Sequence, residues 1–143
     1  MTGQALGQGP NEAFFESKIR PVLVNQCYEC HSAQAKKLKA GLRLDVETEA
    51  HKALESGARA IVPGKVDQSE LFARLVEGVR HQDEQICLTY ARMLVNTFPD
   101  KAPEIVFERM QQASAPVCDQ LVRLIGPRLP EDLLHRLEES RTL

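Results

Sequence analysis

Cys27-Tyr28-Glu29-Cys30-His31 is the stretch on which the reading of this chain turns. Two cysteines separated by two residues, with a histidine directly after the second, form the C-x-x-C-H pattern of covalent c-type haem attachment. The spacing has a physical reason. Two intervening residues set the sulfurs far enough apart to reach the two haem vinyl groups, and the next residue projects its imidazole at the iron. On this reading Cys27 and Cys30 are the thioether anchors and His31 is the proximal iron ligand. Zinc binding, thiol redox chemistry and chance remain open from these five residues alone. A zinc knuckle needs two more ligands at close spacing, whereas Cys87 and Cys118 lie far along the chain. A thioredoxin-like pair needs a βαβ setting, and the flanking sequence reads as helical.

Working outward, the chain has 143 residues, which suits one domain or a small one with an extension. Hydrophobic residues at 43% and charged residues at 27% exclude both a disordered and a membrane-spanning class. No apolar run is long enough to span a bilayer. A net charge of −2 without a long basic block gives nucleic-acid binding no electrostatic support. There is no Trp, so the core depends on aliphatic side chains, and a large apolar cofactor can supply the missing volume. Met1 to Pro10 has neither a basic n-region nor an apolar h-region, so no secretory signal is read there.

Residues 1–11 read as a flexible lead-in rich in Gly. From Glu12 to about Gln26, Phe14, Phe15, Ile19, Val22 and Leu23 recur at helical spacing, with Asn11 as N-cap and a kink at Pro21. This helix delivers the chain into the cysteine motif. Gly41 permits a turn, and Leu42 and Leu44 alternate with Arg43 as in a short extended segment pointing both leucines inward. Asp45 is expected to cap a helix from Val46 to Glu55 that carries His51. Ile61-Val62-Pro63-Gly64-Lys65 is an extended run that breaks at Pro-Gly. Asp67 and Glu70 then suggest a capping box before a helix whose apolar face is Leu71, Leu75, Val76 and Val79. Beyond Gln82, Ile86, Tyr90, Met93 and Leu94 predict the buried face of one helix. Pro103, Pro116 and Pro130 open three more.

These blocks together carry a resemblance. Phe15-Glu16-Ser17-Lys18-Ile19-Arg20-Pro21-Val22-Leu23, the Cys27 to His31 motif, Gly41-Leu42-Arg43-Leu44-Asp45, Ile61-Val62-Pro63-Gly64-Lys65 and Ser69-Glu70-Leu71 resemble the planctomycete-type cytochrome c domain over roughly residues 12–81. The resemblance implies a small helical domain that is exported, is loaded with haem outside the cytoplasm and passes single electrons. In larger members such a domain precedes other modules. The chain departs from the family pattern after His81. Members continue into a Met-Pro-Pro loop that supplies the distal Met and then a Trp-bearing helix, whereas this chain has Gln85-Ile86-Cys87-Leu88 and no Trp.

The expectation is therefore an all-α fold: a cytochrome c-like haem domain over 12–81 around one covalent haem, followed by a helical half or extension over 82–143. Met93 is the candidate sixth ligand nearest the expected place, and ordinary core packing is its blander role. Met110, His51, His81 and an open position are the alternatives. Leu42 and Leu44 line the haem, together with Phe15, Val62 and Leu71, unless these are plain core. By family analogy the carbonyl of Pro63 accepts the free ring N–H of His31 and so orients the imidazole. Pro63 as a rigid turn is the competing reading. Lys36, Lys37 and Lys39 are either a docking patch for an acidic redox partner or a solvated loop. Cys87 and Cys118 read as inert core thiols, with a disulfide or an oxidation-prone pair as alternatives.

The chain thus reads as an extracytoplasmic electron carrier with an unidentified redox partner protein, rather than as an enzyme. Two other readings stay beside it. One is a zinc-stabilised or apo helical interaction module. The other is a haem sensor or peroxidase-like protein with an open sixth position.

Overall fold

The chain enters the fold through one long helical segment over residues 10–27. The computed structural model describes residues 10–141, so most of the lead-in expected over 1–11 lies outside the described residues. The helix begins at Pro10, so Asn11 lies inside it and is not its cap. Its winding alternates: Pro10–Phe14 and Arg20–Val22 are α-helical, while Phe15–Ile19 and Leu23–Cys27 are π-helical turns. Pro21 has no N–H and its ring crowds the carbonyl four residues back, so a wider turn beside it is a known accommodation.

Between this helix and Ser69 the chain is mostly turns. The helix expected from Val46 to Glu55 is a single turn, Glu47–Ala50, with His51 at its end and no side-chain cap. Asp45 is engaged elsewhere, as described below. Pro63 and Gly64 occupy the corners of a turn closed by the Lys65 N–H on the Val62 carbonyl at 3.0 Å. Gly64 has φ +72°, the left-handed value that a type II turn requires at this corner. Among the described residues there is no strand, only one antiparallel bridge between Ala53 and Arg59.

The remainder is a helical bundle: Glu70–Val79, Glu84–Thr97, Ala102–Met110, Ala115–Ile125 and Glu131–Arg141. Ser69, not Asp67, is the residue before the first of these. Its Oγ accepts from the Val62 N–H at 2.9 Å and donates to the Lys65 carbonyl at 3.1 Å, tying the Pro-Gly turn to the helix start. Asp67 instead pairs with Lys101. The prolines at 103 and 116 sit in the first turns of their helices, where a missing N–H costs no intrahelical bond.

Glu84–Thr97 is the central element, touching Glu70–Val79, Ala102–Met110, Ala115–Ile125 and the N-terminal helix. Its buried face is Cys87, Leu88, Ala91, Leu94 and Val95, one position round from the expected one, and Ile86 is exposed. The reason is steric. Small side chains let neighbouring helices approach closely, so Cys87 and Ala91 lie inside although they carry little apolar bulk. One close approach is at Gly78, where an added Cβ would fall 2.1 Å from carbons of the Tyr90 ring.

Two apolar clusters result. The larger joins Leu75 and Val79 to Leu88, Ala91, Leu94, Val95, Val106, Met110, Val117, Leu121 and Ile125. The smaller contains Leu23, Leu44 and Ala50, with Ile19, Cys27, Tyr28, Leu42 and Ile61 packed on it. No helix among the described residues is long and apolar enough to cross a membrane.

Candidate haem-attachment site

The C-terminal end of the first helix positions the motif. The Tyr28 N–H donates to the Leu23 carbonyl at 2.9 Å, closing the last wide turn. The N–H groups of Cys30 and His31 then both converge on the Cys27 carbonyl, at 3.1 and 2.9 Å. Cys27, Cys30 and His31 are thereby wound onto one helical turn, with the cysteines three residues apart on one side of it. All three side chains are half-buried, and both cysteines are free thiols. Burial pushes the Cys27 thiol up from its ordinary value, so it stays protonated at neutral pH.

The segment from Lys39 to Asp45 folds back along the motif. Its turn is built by Ala40 at φ +53° and Gly41 at φ +59°, with the Leu42 N–H donating to the Lys39 carbonyl at 3.1 Å. Two left-handed corner residues make a type I′ turn, for which Gly41 is well suited and Ala40 is strained. Four bonds then connect the two segments in order. The Lys39 N–H donates to the Cys30 carbonyl at 3.1 Å, and the Leu44 N–H donates to the His31 carbonyl at 2.8 Å. The His31 Nδ1 lies 3.2 Å from the Leu42 carbonyl. The Ala33 N–H donates to the Asp45 carboxylate at 3.0 Å.

The bond from His31 decides the tautomer. A carbonyl oxygen has no proton to give, so Nδ1 carries the hydrogen and Nε2 is left with its lone pair free. The ring is held by a backbone acceptor while the other nitrogen is available to a metal, the arrangement found around ligating histidines. The acceptor is Leu42, which corrects the expectation of Pro63. Pro63 is exposed in its own turn. Leu42 and Leu44 lie where their alternation placed them, in the small cluster beside Cys27.

Asp45 is a site residue that sequence reasoning assigned to another task. Its carboxylate also takes two bonds from the Arg43 guanidinium, at 2.9 and 3.1 Å. The Arg43 bonds first, and the Ala33 N–H second, hold its carboxyl down to about 2. The signal in the sequence was the Arg-x-Asp pair after the Gly turn, which bridges across a two-residue spacing.

The remaining candidates fall elsewhere. Met93 is half-buried against the larger cluster and lines a small cleft with Pro21, Val22, Asn25 and Gln26, on the flank of the first helix. Met110 is buried within the larger cluster. The His81 Nδ1 accepts from the Asp83 N–H at 3.0 Å on an exposed turn. His51 is half-buried directly after Ala50 of the small cluster. Phe15 is exposed, while Val62 and Leu71 are half-buried. Cys87 is a fully buried free thiol, pushed up by burial against the opposing influence of Arg109. Cys118 is also free and half-buried.

The family model described as Planctomycete cytochrome C matches residues 27–83, from the first cysteine of the motif to just past the Glu70–Val79 helix. The match supports a planctomycete-type cytochrome c domain over those residues. The match covers about two-fifths of the chain. No curated protein and no solved structure matches the chain. The matched segment does not pack as a closed unit, because its last helix contributes Leu75 and Val79 to the larger cluster.

The family implies a covalently bound haem, and the residues present fit one. Two free thiols and an oriented imidazole share one turn, and the surrounding cluster has only three buried members with a rim of half-buried apolar side chains. Zinc fits less well. Among the described residues no three His, Cys, Asp or Glu side chains converge to hold a metal ion. Closed zinc sites need four such ligands.

Proposed function

We propose that this chain is a c-type cytochrome that carries one covalently attached haem and passes single electrons outside the cytoplasm. The observation that carries the reading is the His31 ring, whose Nδ1–H is committed to the Leu42 carbonyl on the same turn as two free cysteines. Haem so bound supplies a reversible one-electron iron couple. The chain's own part is to present Cys27 and Cys30 as anchors, to aim Nε2 of His31 at the iron and to restrict water with Leu42 and Leu44. The hydrogen bond to Leu42 would make the His31 imidazole a more basic ligand to such an iron.

The test is co-expression with a haem-attachment system and export to the periplasm. A red protein whose haem survives acid extraction, absent in Cys27→Ala/Cys30→Ala, and a reversible one-electron titration are expected. A colourless folded protein with stoichiometric zinc would overturn the reading in favour of a metal-stabilised interaction module. His31→Ala is expected to abolish the low-spin spectrum.

A second reading, a haem protein whose sixth position takes an external ligand, is favoured by one observation. Met93 and Met110 both pack with the larger cluster, whereas Cys27 and Leu42 belong to the smaller. The spectrum separates the two. A far-red Met-to-iron charge-transfer band that vanishes in Met93→Ala assigns Met93 as the ligand, and carbon monoxide binding to the reduced protein assigns an open position.

A further inference from the structure

The starts of two bundle helices are tied by one bond, Ser114 Oγ donating to the Glu84 carboxylate at 2.8 Å. From there Glu84–Thr97 and Ala115–Ile125 pack against each other. A cleft of about 310 Å³ lies between them, lined by Leu88 and Arg92 of the first helix and by Gln120, Arg123 and Leu124 of the second. Spacings of three and four residues stack these side chains on one stripe of each helix. Leu88 is buried and Leu124 half-buried, which makes the base apolar, while Arg92, Gln120 and Arg123 are exposed and make the polar rim. The two guanidiniums differ from their neighbours in the bundle. Arg74, Arg80 and Arg136 each pair with a carboxylate. Arg92 and Arg123 pair with none among the described residues, and Asp119, one turn before Arg123, makes no ion pair with it.

We infer that this cleft binds a small phosphate monoester, its phosphate held between Arg92 and Arg123 and its organic body laid on Leu88 and Leu124. The inference is independent of the cytochrome reading, because all five lining residues fall outside the matched residues 27–83. Charge selects the anion. A guanidinium stays charged at every physiological pH, and no carboxylate lines the cleft, so two like charges share it without neutralisation. A phosphate monoester carries about −1.5 to −2 at pH 7 and so offsets both, whereas a monocarboxylate offsets one. Geometry agrees with charge. Guanidinium forks donate in pairs to phosphate oxygens, and the Gln120 amide adds an uncharged N–H donor on the same rim. Size and polarity select the ester. The volume lies at the lower edge of small-molecule pockets, roughly 300–1,000 Å³, and the two leucines offer a free ion nothing while giving an organic body apolar surface to cover.

The experiment is calorimetric titration of the full chain, as recovered from the co-expression above, with phenyl phosphate, inorganic phosphate and benzoate. Saturable binding of one phenyl phosphate per chain is expected, with inorganic phosphate and benzoate each weaker by about tenfold, since the first lacks the apolar body and the second lacks the second charge. Arg123→Gln should weaken phenyl phosphate by about tenfold or more, the loss of charged hydrogen bonds to one guanidinium. Arg123 is exposed and unpaired, so its replacement leaves the fold intact, which the thermal unfolding midpoint without ligand checks. Arg128→Gln removes the same charge from an exposed residue that does not line the cleft, and should leave the affinity within twofold of the parent. Absence of saturable binding, or equal losses in the Arg123 and Arg128 variants, overturns the site. Inorganic phosphate as tight as phenyl phosphate overturns the ester in favour of the free ion, and benzoate as tight as phenyl phosphate overturns the dianion. A colourless chain that still binds phenyl phosphate through Arg123 would overturn the cytochrome reading alone and support the cleft.

Discussion

The region around the cysteine motif and the bundle behind it are built by different means. In the bundle, Phe107, Leu94, Leu121, Ile125, Val106 and Val117 are essentially inaccessible. Leu133 of the last helix is equally inaccessible, and the Arg136 guanidinium of that helix lies 4.6 Å from the centre of the Phe107 ring. In the site region only Leu23, Leu44 and Ala50 form the buried centre, and Phe14, Phe15, Val24 and Leu38 are exposed. Apolar burial stabilises by roughly 25 cal/mol per Å², so the bundle can hold itself together while the site region cannot rely on its own side chains. What orders that region is a row of hydrogen bonds between the motif and residues 39–45, each with a backbone group on at least one side. The lesson is that the chain shapes this region by hydrogen bonds to backbone groups and not by a closed apolar core.

The comparison can be broken most directly by truncating one buried side chain in each region. Phe107→Ala should cost about 3–5 kcal/mol in urea unfolding, since it empties a closed core. Leu44→Ala should cost near 2 kcal/mol, the low end for Leu→Ala, because its neighbours are half-exposed and can relax. Equal losses would show that the site region is packed as tightly as the bundle.

A smaller effect is expected where the Glu70–Val79 helix meets the central helix. Gly78→Val places new carbon on the Tyr90 ring, near its attachment and not at a flexible tip, so the helices must separate. A loss of about 1–3 kcal/mol is expected, with Tyr90→Ala in the same chain recovering part of it. A Gly78→Val protein of unchanged stability would mean that the contact is not the limit on helix approach.

The mildest prediction concerns acid. Because the Asp45 carboxyl is held at about 2 against an ordinary 3.8, its contribution is present above the unfolded value and is lost as pH falls through about 2. Between pH 4 and 2 the amide protons of Ala33 and Leu44 should lose exchange protection before those of the bundle. In Asp45→Asn that protection should be weaker at neutral pH and flat over the same interval. Site and bundle amides failing together would show that Asp45 does not act locally.

Parts of this arrangement were legible residue by residue. The motif, the Gly41 and Pro63-Gly64 turns and the inward leucines are local properties, set by φ preferences and by alternation over a few residues. The proline-opened helices after 102 follow from the same kind of information. The acceptor for His31 was not legible, because every residue carries a carbonyl and nothing in a side chain marks the one that will face a ring eleven positions away. Asp45 was misread for a related reason. A carboxylate after a turn and before a short apolar run satisfies the rules for a cap as well as those for a clamp, and only the folded position of Ala33 decides between them.

The register of the central helix teaches the same point from the packing side. Ile86, Tyr90, Met93 and Leu94 are the bulkier set, yet Cys87, Ala91, Leu94 and Val95 face inward. Periodicity identifies a helix, but which of two adjacent stripes is buried depends on how closely its neighbours approach.

By itself, the sequence determined that the chain is helical, that residues 27–31 carry a C-x-x-C-H pattern, and that turns fall at Gly41 and at Pro63-Gly64. Those are consequences of local stereochemistry and of a five-residue pattern. Only the tertiary structure decided that Leu42 orients His31, that Asp45 clamps Ala33, and that the Glu70–Val79 helix of the matched segment joins the core of the C-terminal bundle. Each of these depends on which backbone groups and helix faces meet across many intervening residues, where hydrogen-bond geometry and steric fit select one partner among many of equal local chemistry.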